Sequence, residues 1–360
     1  MVHHEVLVTA VIPAYNVEAT IDTTLDSVRN QTHRNLEIVV VIDGATDATE
    51  SVVRRHAEQD DRIAVVVTPN HGLCAARNTG ARAGRGEFIA PIDGDDVWHP
   101  EKIRKQLLEF AMGGDDIGMV YTLFRRIDQW DFLIRDGAFT CWSGEIFDAS
   151  LLYNCVGNGS SIMLRRKAFE QAGGYSMALN RRGCEDYLLQ LLISHDWTVG
   201  VVPEYLTGYR FDQGSMSRDH TRMALARLKM LDIIGAKDLD VSNRVMTIAR
   251  SYATTELAIA YIRAGNISAS ISAFATAARI NARATATYIP YRLRDFAFRF
   301  IRNAGVRLSS QKPPKFNDLN PEKRFGITYH PQRSRTMLSL LRDTPSSNGP
   351  GCHKPRPNTD

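Results

Sequence analysis

The run Leu36-Glu37-Ile38-Val39-Val40-Val41-Ile42, followed at once by Asp43-Gly44-Ala45-Thr46-Asp47, sets the architecture of this chain. An almost unbroken β-branched run of this kind reads as a strand buried on both faces, as in a parallel sheet covered by helices. The polar cluster behind it marks the strand's carboxyl end. The same pairing of strand and cluster recurs three times within the first hundred residues. Residues 6–12, closed by Pro13, lead to Ala14-Tyr15-Asn16, and Ile63–Thr68 leads to Asn70-His71-Gly72. Residues 87–92 lead to the acidic cluster Asp93-Gly94-Asp95-Asp96. Helical patterns fill the gaps. Ile21, Leu25 and Val28 share one helical face, 46–59 and Leu73–Ala83 read as helices, and Pro100 opens a fourth with Ile103, Leu107 and Phe110 inward. Strand and helix in alternation predict an α/β, Rossmann-like and mostly parallel sheet with helices on both faces. Ligands of such sheets lie outside the carboxyl ends of the strands, so one ligand would meet all four clusters. That points to a nucleotide-bound substrate and a metal ion.

Beyond residue 117, segments 119–124, 161–164 and 198–202 read as strands. Residues 184–194 read as an amphipathic helix carrying Leu188, Leu189, Leu191 and Leu192. From about His220 the texture turns to Ala-rich helix formers, and 256–279 reads as two helices joined at Gly265-Asn266. Segment 291–308 mixes Phe296, Phe298, Phe300 and Ile301 with Arg292, Arg294, Arg299 and Arg302, a composition suited either to an anionic membrane interface or to packing on the body. Past Ser309 the chain is rich in Pro, Ser, Asn and charge, which predicts disorder. The expected division is a sheet domain over 1–218, a helical region over 219–308 and a basic tail over 309–360.

The 360 residues are 44% hydrophobic and 23% charged, ordinary for a globular protein with a sizeable core. The net charge of +4 is unevenly spread: residues 283–360 hold 15 Lys+Arg against 5 Asp+Glu, which leaves 1–282 at −6. A basic end on an acidic body suggests an anionic surface as its partner, or a solvated tail. Five scattered cysteines without C-x-x-C spacing favour a reducing compartment. With no charged-then-apolar leader and no bilayer-length apolar run, the expectation is a cytoplasmic protein, with 291–308 as a peripheral contact at the inner membrane face.

Each cluster carries a chemical and a structural reading. Tyr15 can lie against a flat base with the backbone at Pro13 beside it, or simply form a turn. Asp43 can accept from a base nitrogen or a ribose hydroxyl, while Asp47 caps the next helix. Arg77 can meet a base carbonyl or a phosphate, or be solvated. Crowded carboxylates at Asp93 and Asp95 repel unless a cation or firm hydrogen bonds offset them, and hard oxygen ligands suit Mg²⁺ or Mn²⁺ bridged to a diphosphate. Neither acidic cluster is a calcium loop, because the twelfth positions are Arg54 and Arg104. Glu185-Asp186 opens a helix, where the dipole favours acids, or supplies a general base. No Walker A, H-E-x-x-H or G-x-S-x-G sequence occurs.

In order and spacing these clusters resemble glycosyltransferase family 2. The resemblance covers roughly 5–218 and is carried by Val11-Ile12-Pro13-Ala14-Tyr15-Asn16, Asp43 to Asp47, Gly72 to Asn78, Asp93 to Asp96, Gly173-Gly174-Tyr175 before Glu185-Asp186, and Tyr209-Arg210 through Ser217. It implies a GT-A fold, a nucleotide-sugar donor (by resemblance a UDP-sugar), a divalent metal and inversion at the anomeric carbon. By position Pro13, Tyr15, Asp43 and Arg77 would contact the nucleoside. Asp95 would hold the metal with Asp93 beside it, Asp186 would be the base and Glu185 would line the substrate site. The expected acceptor is a glycan or lipid-linked hydroxyl in cell-surface polysaccharide synthesis, with no nucleic acid partner. Departures exist: Ile42-Asp43 replaces the usual paired acids, Ala45 a serine, and Asp212 a frequent histidine. Q-x-x-R-W is absent, which implies one sugar per encounter. Two alternatives are a nucleotidyltransferase, for which a Gly-rich basic loop after the first strand is lacking, and a non-catalytic nucleotide-sugar binder.

Overall fold

The computed structural model describes residues 6–137, 141–211, 218–307 and 313–323, with the side chains of 291 and 293–307 outside the description. Among the described residues nine strands form one sheet in the order β3-β2-β1-β4-β8-β6-β9-β5, with β7 on β6. The strands are β1 (Val8–Ala14), β2 (Leu36–Asp43), β3 (Ile63–Thr68), β4 (Phe88–Pro91), β5 (Val97–Trp98), β6 (Ile117–Ile127), β7 (Leu133–Asp136), β8 (Ile162–Arg165) and β9 (Thr198–Arg210). The helices are α1 (Ile21–Arg29), α2 (Thr49–Gln59), α3 (Leu73–Ala83), α4 (Lys102–Gly113), α5 (Phe147–Leu152), α6 (Arg166–Gln171), α7 (Glu185–Asp196), α8 (His220–Ala236), α9 (Asn243–Arg263) and α10 (Ile267–Arg307).

The first half of the sheet is parallel, as the alternation predicts. The second half is mixed: β8 runs antiparallel to both β4 and β6, while β9 returns parallel to β6. A short reversed strand between β4 and β6 needs no crossover helix, so its sequence carries none of the alternation that made the first half readable. The carboxyl ends of β6 and β9 thereby share the sheet edge with those of β1, β2 and β4.

Both faces are covered. Alternate residues of β1 and β2 (Val8, Ala10, Ile12, Ile38, Val40, Ile42) pack with Ile21, Leu25 and Val28 of α1, Val53 of α2 and Ile103 and Leu107 of α4. On the opposite face Val39 and Val41 meet Ala76 of α3, and Val11 and Ile89 join Leu189 and Ile193 of α7. Gly80 lets α3 approach β1, since a Cβ there would come within 2.4 Å of Val11 Cγ1. Pro13 does not end its strand. It pairs opposite Val41, and β4 on the other side registers only as far as Val11, so its missing N–H costs no ladder bond.

The helix 46–59 of the sequence reading begins at Thr49, because Asp47 folds back to accept the Thr49 N–H at 3.0 Å. The joint at Gly265 is where expected, with φ of +76°. α10 continues over 291–307 as backbone helix, after a break at Asn281 whose Oδ1 accepts the Ala284 N–H, and residue 308 of the segment singled out above lies outside the described residues. α8, α9 and α10 bury Met230, Leu231, Ile248, Tyr252, Ala284 and Tyr288 against Tyr187, Leu188 and Leu191 of α7. Buried along most of its length, polar Gln190 and Ser194 included, α7 is thus wedged between the sheet and the C-terminal helices.

The disorder expected beyond residue 309 does not hold for 313–323. Lys315 bridges Phe132, Phe316 is 1% exposed among Val97 and Ile127, and buried Arg125 donates to the Asn320 carbonyl. One aromatic anchor and a sheet edge with open backbone groups order a segment whose composition reads as coil. Residues 324–360 lie outside the described set. No described helix is long and apolar enough to cross a membrane. Phe316→Ala is expected to lower the unfolding free energy by about 3 kcal/mol, the cost of truncating a buried aromatic, read by urea denaturation.

Candidate active site

The turn after β4 is held through its backbone. The Gly94 carbonyl accepts from Thr20 and Thr24 Oγ1, each at 3.0 Å, and the Asp96 carbonyl accepts from Thr24 Oγ1 at 2.8 Å. Arg210, at the end of β9, donates its Nε to the Asp95 carbonyl at 2.6 Å and its backbone N–H to Asp96 Oδ1 at 2.8 Å. The Asp93 N–H donates to Ser160 Oγ at 3.1 Å. Gly94 permits close approach of the first loop, because a Cβ would lie 3.2 Å from the Pro13 carbonyl. Asp96 is fully buried, and burial followed by the charges of Asp95 and Asp93 raises its pKa well above the carboxylate range. It serves the turn, while Asp93 and Asp95 remain partly exposed.

Arg77 sits in α3 with its side chain 3% exposed. Its Nη2 donates to Asp93 Oδ1 at 2.5 Å and its Nη1 to Glu185 Oε1 at 2.9 Å. Its Cζ lies 5.1 Å from the centre of the Tyr175 ring. Asp186 adjoins this pair: a Cβ on Gly159 would lie 3.4 Å from Arg77 Nη2 and 3.6 Å from Asp186 Cβ. Burial lifts the Asp186 carboxyl to about 7, the Glu185 charge adding to the rise and Arg77 opposing it. Carboxylates from two distant motifs therefore share one buried guanidinium.

Two asparagines join the strand-end loops to the approach of α7. Asn78 Oδ1 accepts the Tyr175 N–H and its Nδ2 donates to the Tyr175 carbonyl, both at 2.8 Å. Asn180 Nδ2 donates to the His71 carbonyl at 2.6 Å, and its Oδ1 accepts the Cys74 N–H at 3.2 Å. The chain then enters α7 through left-handed Arg181 and Cys184, φ of +61° and +62°. Such backbone costs of order 1 kcal/mol or more per residue and persists where its surroundings enforce it.

On the nucleoside side, Tyr15 is 49% exposed at the mouth of β1. Both oxygens of Asp43 are engaged, Oδ1 accepting the His71 N–H at 2.8 Å and Oδ2 the Gly72 N–H at 2.7 Å. Asn16 Oδ1 accepts the Thr46 N–H at 2.8 Å, so the first two loops form one wall.

Residues 9–173 match the family described as glycosyl transferase family 2. This chain carries a family 2 glycosyltransferase domain. Glycosyltransferase GlyA of Streptococcus pneumoniae is 40% identical over 223 residues, covering 59% of this chain and 31% of that protein. The chain spans roughly a third of the length of the first curated relatives it matches, 26% to 44%. Among solved structures, S. aureus TarS in complex with UDP-GlcNAc superposes at a TM-score of 0.54 with 14% identity, over 75% of this chain and 91% of that one. The mannosyltransferase PcManGT of Pyrobaculum calidifontis, in complex with GDP-Man and Mn²⁺, gives 0.55 with 21% identity, over 79% and 82%. These two share the GT-A fold of the family 2 domain. The family match closes at Gly173, before Glu185-Asp186.

Of the expected site residues, the fold brings Arg77, Asp93, Glu185 and Asp186 into one cluster, and the clamped turn carries Asp95 and approaches Pro13. Arg77, expected to contact the nucleoside, also holds two carboxylates, one on each Nη. Glu185, expected along the substrate site, is 7% exposed and turned onto Arg77. Ser160, Asn180 and Arg210's hold on the acidic turn were not anticipated. The available signal was Asn158-Gly159-Ser160-Ser161, four small polar residues before an apolar strand. Ser217 and Asp212 lie outside the described residues.

A carboxyl raised to about 7 keeps a proton in the folded chain that the unfolded chain loses near 3.8. That group's contribution to stability is present at pH 4 and lost as pH rises through 7. Asp186→Asn should therefore be more stable than wild type at pH 8, with no advantage at pH 4, in urea unfolding with EDTA present.

Proposed function

We propose that this chain transfers a sugar from a nucleotide-sugar donor to an acceptor hydroxyl, with inversion and with a divalent metal. The observation that carries the reading is the meeting of Asp93, from the fourth strand-end cluster, with Glu185 on the guanidinium of Arg77, with Asp186 adjoining them. A carboxyl poised near neutrality, beside the acidic turn of a nucleotide-sugar fold, suits a general base. Asp186 takes the proton of the acceptor hydroxyl as that oxygen attacks. Arg77 keeps the neighbouring carboxylates from driving the Asp186 carboxyl still higher. The exposed Tyr15 and the wall built on Pro13, Asn16 and Asp43 receive the nucleoside.

The residues fit a hard divalent cation. Asp93 is partly exposed with Oδ1 given to Arg77, and the backbone clamps leave the acidic turn fixed. Among the described residues no group of three or more His, Cys, Asp or Glu forms a complete cage. A divalent cation of this kind needs only one or two protein carboxylates, with phosphate oxygens and water completing its shell. Asp95 and Asp93 would hold Mg²⁺ or Mn²⁺, which supplies charge neutralisation for the departing diphosphate. A UDP-sugar is the donor we favour, supported by the likeness to TarS, whose complex holds UDP-GlcNAc. The acceptor is taken to be a glycan or lipid-linked hydroxyl in polysaccharide synthesis, in keeping with relatives such as the putative teichuronic acid biosynthesis glycosyltransferase TuaG of Bacillus subtilis. Segment 291–308 remains our candidate for peripheral membrane contact.

Asp186→Asn should reduce transfer by about 10²–10⁴-fold, the usual worth of a general base, while a nucleotide sugar with Mn²⁺ still raises its melting temperature as in wild type. Near-normal turnover would remove Asp186 from the role. Wild-type kcat should climb with pH to a plateau above about 7. Asp95→Asn should lose the extra thermal shift that Mn²⁺ adds to the donor; an unchanged shift would place the metal elsewhere.

A further inference from the structure

A rim of arginines follows the end of β9, the start of α8 and the loop into α7, and on that loop Arg181 Nη2 donates to the Asn70 carbonyl at 2.9 Å. Arg181 and Arg182 are exposed on the loop that leads into α7, just ahead of Glu185 and Asp186. Arg222, in the first turn of α8, donates from Nη2 to the Arg181 carbonyl, and Cys184 Sγ lies 3.8 Å from the Met223 carbonyl, so the two segments touch. Arg218, one turn before, places its Cζ 4.8 Å from the centre of the Phe211 ring. Arg126, near the end of β6, lies 4.5 Å from the same ring. Phe211 directly follows Arg210, the residue clamped on Asp95 and Asp96. The rim thus runs along the carboxyl edge of the sheet from the acidic turn to the start of α7.

Charge is one-sided on the loop before α7 and at the start of α8, while the acids beside Arg126, Asp131 and Asp136, are held by Arg210 and Arg125. Within 177–184 and 218–229 the only acid is Asp219, whose Oδ1 is engaged in capping α8 through the Arg222 N–H. The central carboxylates Asp93 and Glu185 are paired with Arg77. Among the described residues Arg182 makes no side-chain hydrogen bond or ion pair, and Arg218 makes only its ring contact. Residues 1–282 carry a net −6, so a concentration of guanidinium groups here runs against the balance of the body. Guanidinium forks match phosphate oxygens in shape and charge.

We propose that the acceptor carries phosphate close to the hydroxyl it presents, and that Arg126, Arg182, Arg218 and Arg222 bind that phosphate. This rests on the transfer reading above, because it takes the molecule at the rim to be the acceptor. Two sources share the chemistry: a soluble phosphodiester chain and a lipid-linked phosphate at a membrane surface.

The test uses the full chain with Mn²⁺ and saturating UDP, so that the donor site is filled. Binding is measured to a glycerol-phosphate oligomer, and separately to phosphatidylcholine vesicles with and without phosphatidic acid. Wild type is expected to bind the oligomer or the phosphatidic acid vesicles, and the arm that binds names the source. The double variant Arg182→Glu with Arg218→Glu should bind about tenfold more weakly or worse, since attraction becomes repulsion at two contacts. Its thermal shift with UDP and Mn²⁺ should be unchanged. The single variants Arg182→Gln and Arg218→Gln should show smaller losses of the same sign and stay readable if the double variant misfolds. Equal binding by wild type and variants, or no binding to either probe, overturns the proposal. Loss of the UDP shift also overturns it, by assigning the rim to the donor. None of these readouts needs turnover, so failure here is distinct from failure of the Asp186 variant, which tests the transfer reading.

Discussion

A single guanidinium is the constraint on which the site depends. Asp93, Glu185 and Asp186 are brought close by elements far apart in the chain, and carboxylates in a shared, poorly solvated space repel strongly. Arg77 offsets that repulsion with two charge-assisted hydrogen bonds. The reverse also holds: a fully desolvated arginine is costly alone and tolerable only with partners in good geometry. Neither side of the arrangement is stable without the other. The cleft is therefore not a place where acids happen to gather but an ion cluster that fixes α3, the β4 turn and the start of α7 relative to one another.

Geometry around that cluster is set by backbone clamps rather than by the acidic side chains. Thr20, Thr24, Ser160 and Arg210 fix the peptide groups of 93–96. Asn78 and Asn180 do the same for the loop that leads to α7. Holding a polar turn by its carbonyls and N–H groups leaves Asp93 and Asp95 partly exposed. Arg210 also reaches outward, its Nη2 on Asp131 Oδ1 at 2.6 Å, while the Asp131 carbonyl accepts the Phe316 N–H at 3.0 Å. A path of hydrogen bonds thus links the segment after the helices to the acidic turn. On the other side, α7 is gripped by the sheet and by α8, α9 and α10, so the carboxyl of Asp186 rides on a helix that cannot shift without opening two cores.

The same electrostatics separates stability from activity. Holding a carboxyl at about 7 in a half-buried place costs folding energy at neutral pH, and that cost comes with a base matched to the pH at which it works. The arginine rim lies outside this balance, being partly or fully exposed to solvent, and it can serve recognition without altering the central cluster.

The parallel half of the fold was legible in the chain because its signals are local. The run 36–42 is β-branched and unbroken, Ile63–Thr68 and Leu73–Ala83 appear with the bounds expected of them, and each strand is punctuated by a polar cluster. The two-residue β5, the hairpin strand β7 and the short helices α5 and α6 were not legible, since segments of so few residues lack a full period and owe their shape to neighbours. Segment 313–323 reads as coil because one buried Phe316 and a borrowed sheet edge leave no pattern in composition. Among site residues, the sequence named Asp93, Asp95, Glu185 and Asp186 from their crowding and their place at element ends. It read Arg77 as a ligand contact and held no sign of the two carboxylates that folding sets on its guanidinium. Partners in an ion cluster are chosen by distance in space, and that distance, with the burial that makes each charge costly, exists only once the sheet edge, α3 and α7 have closed around them.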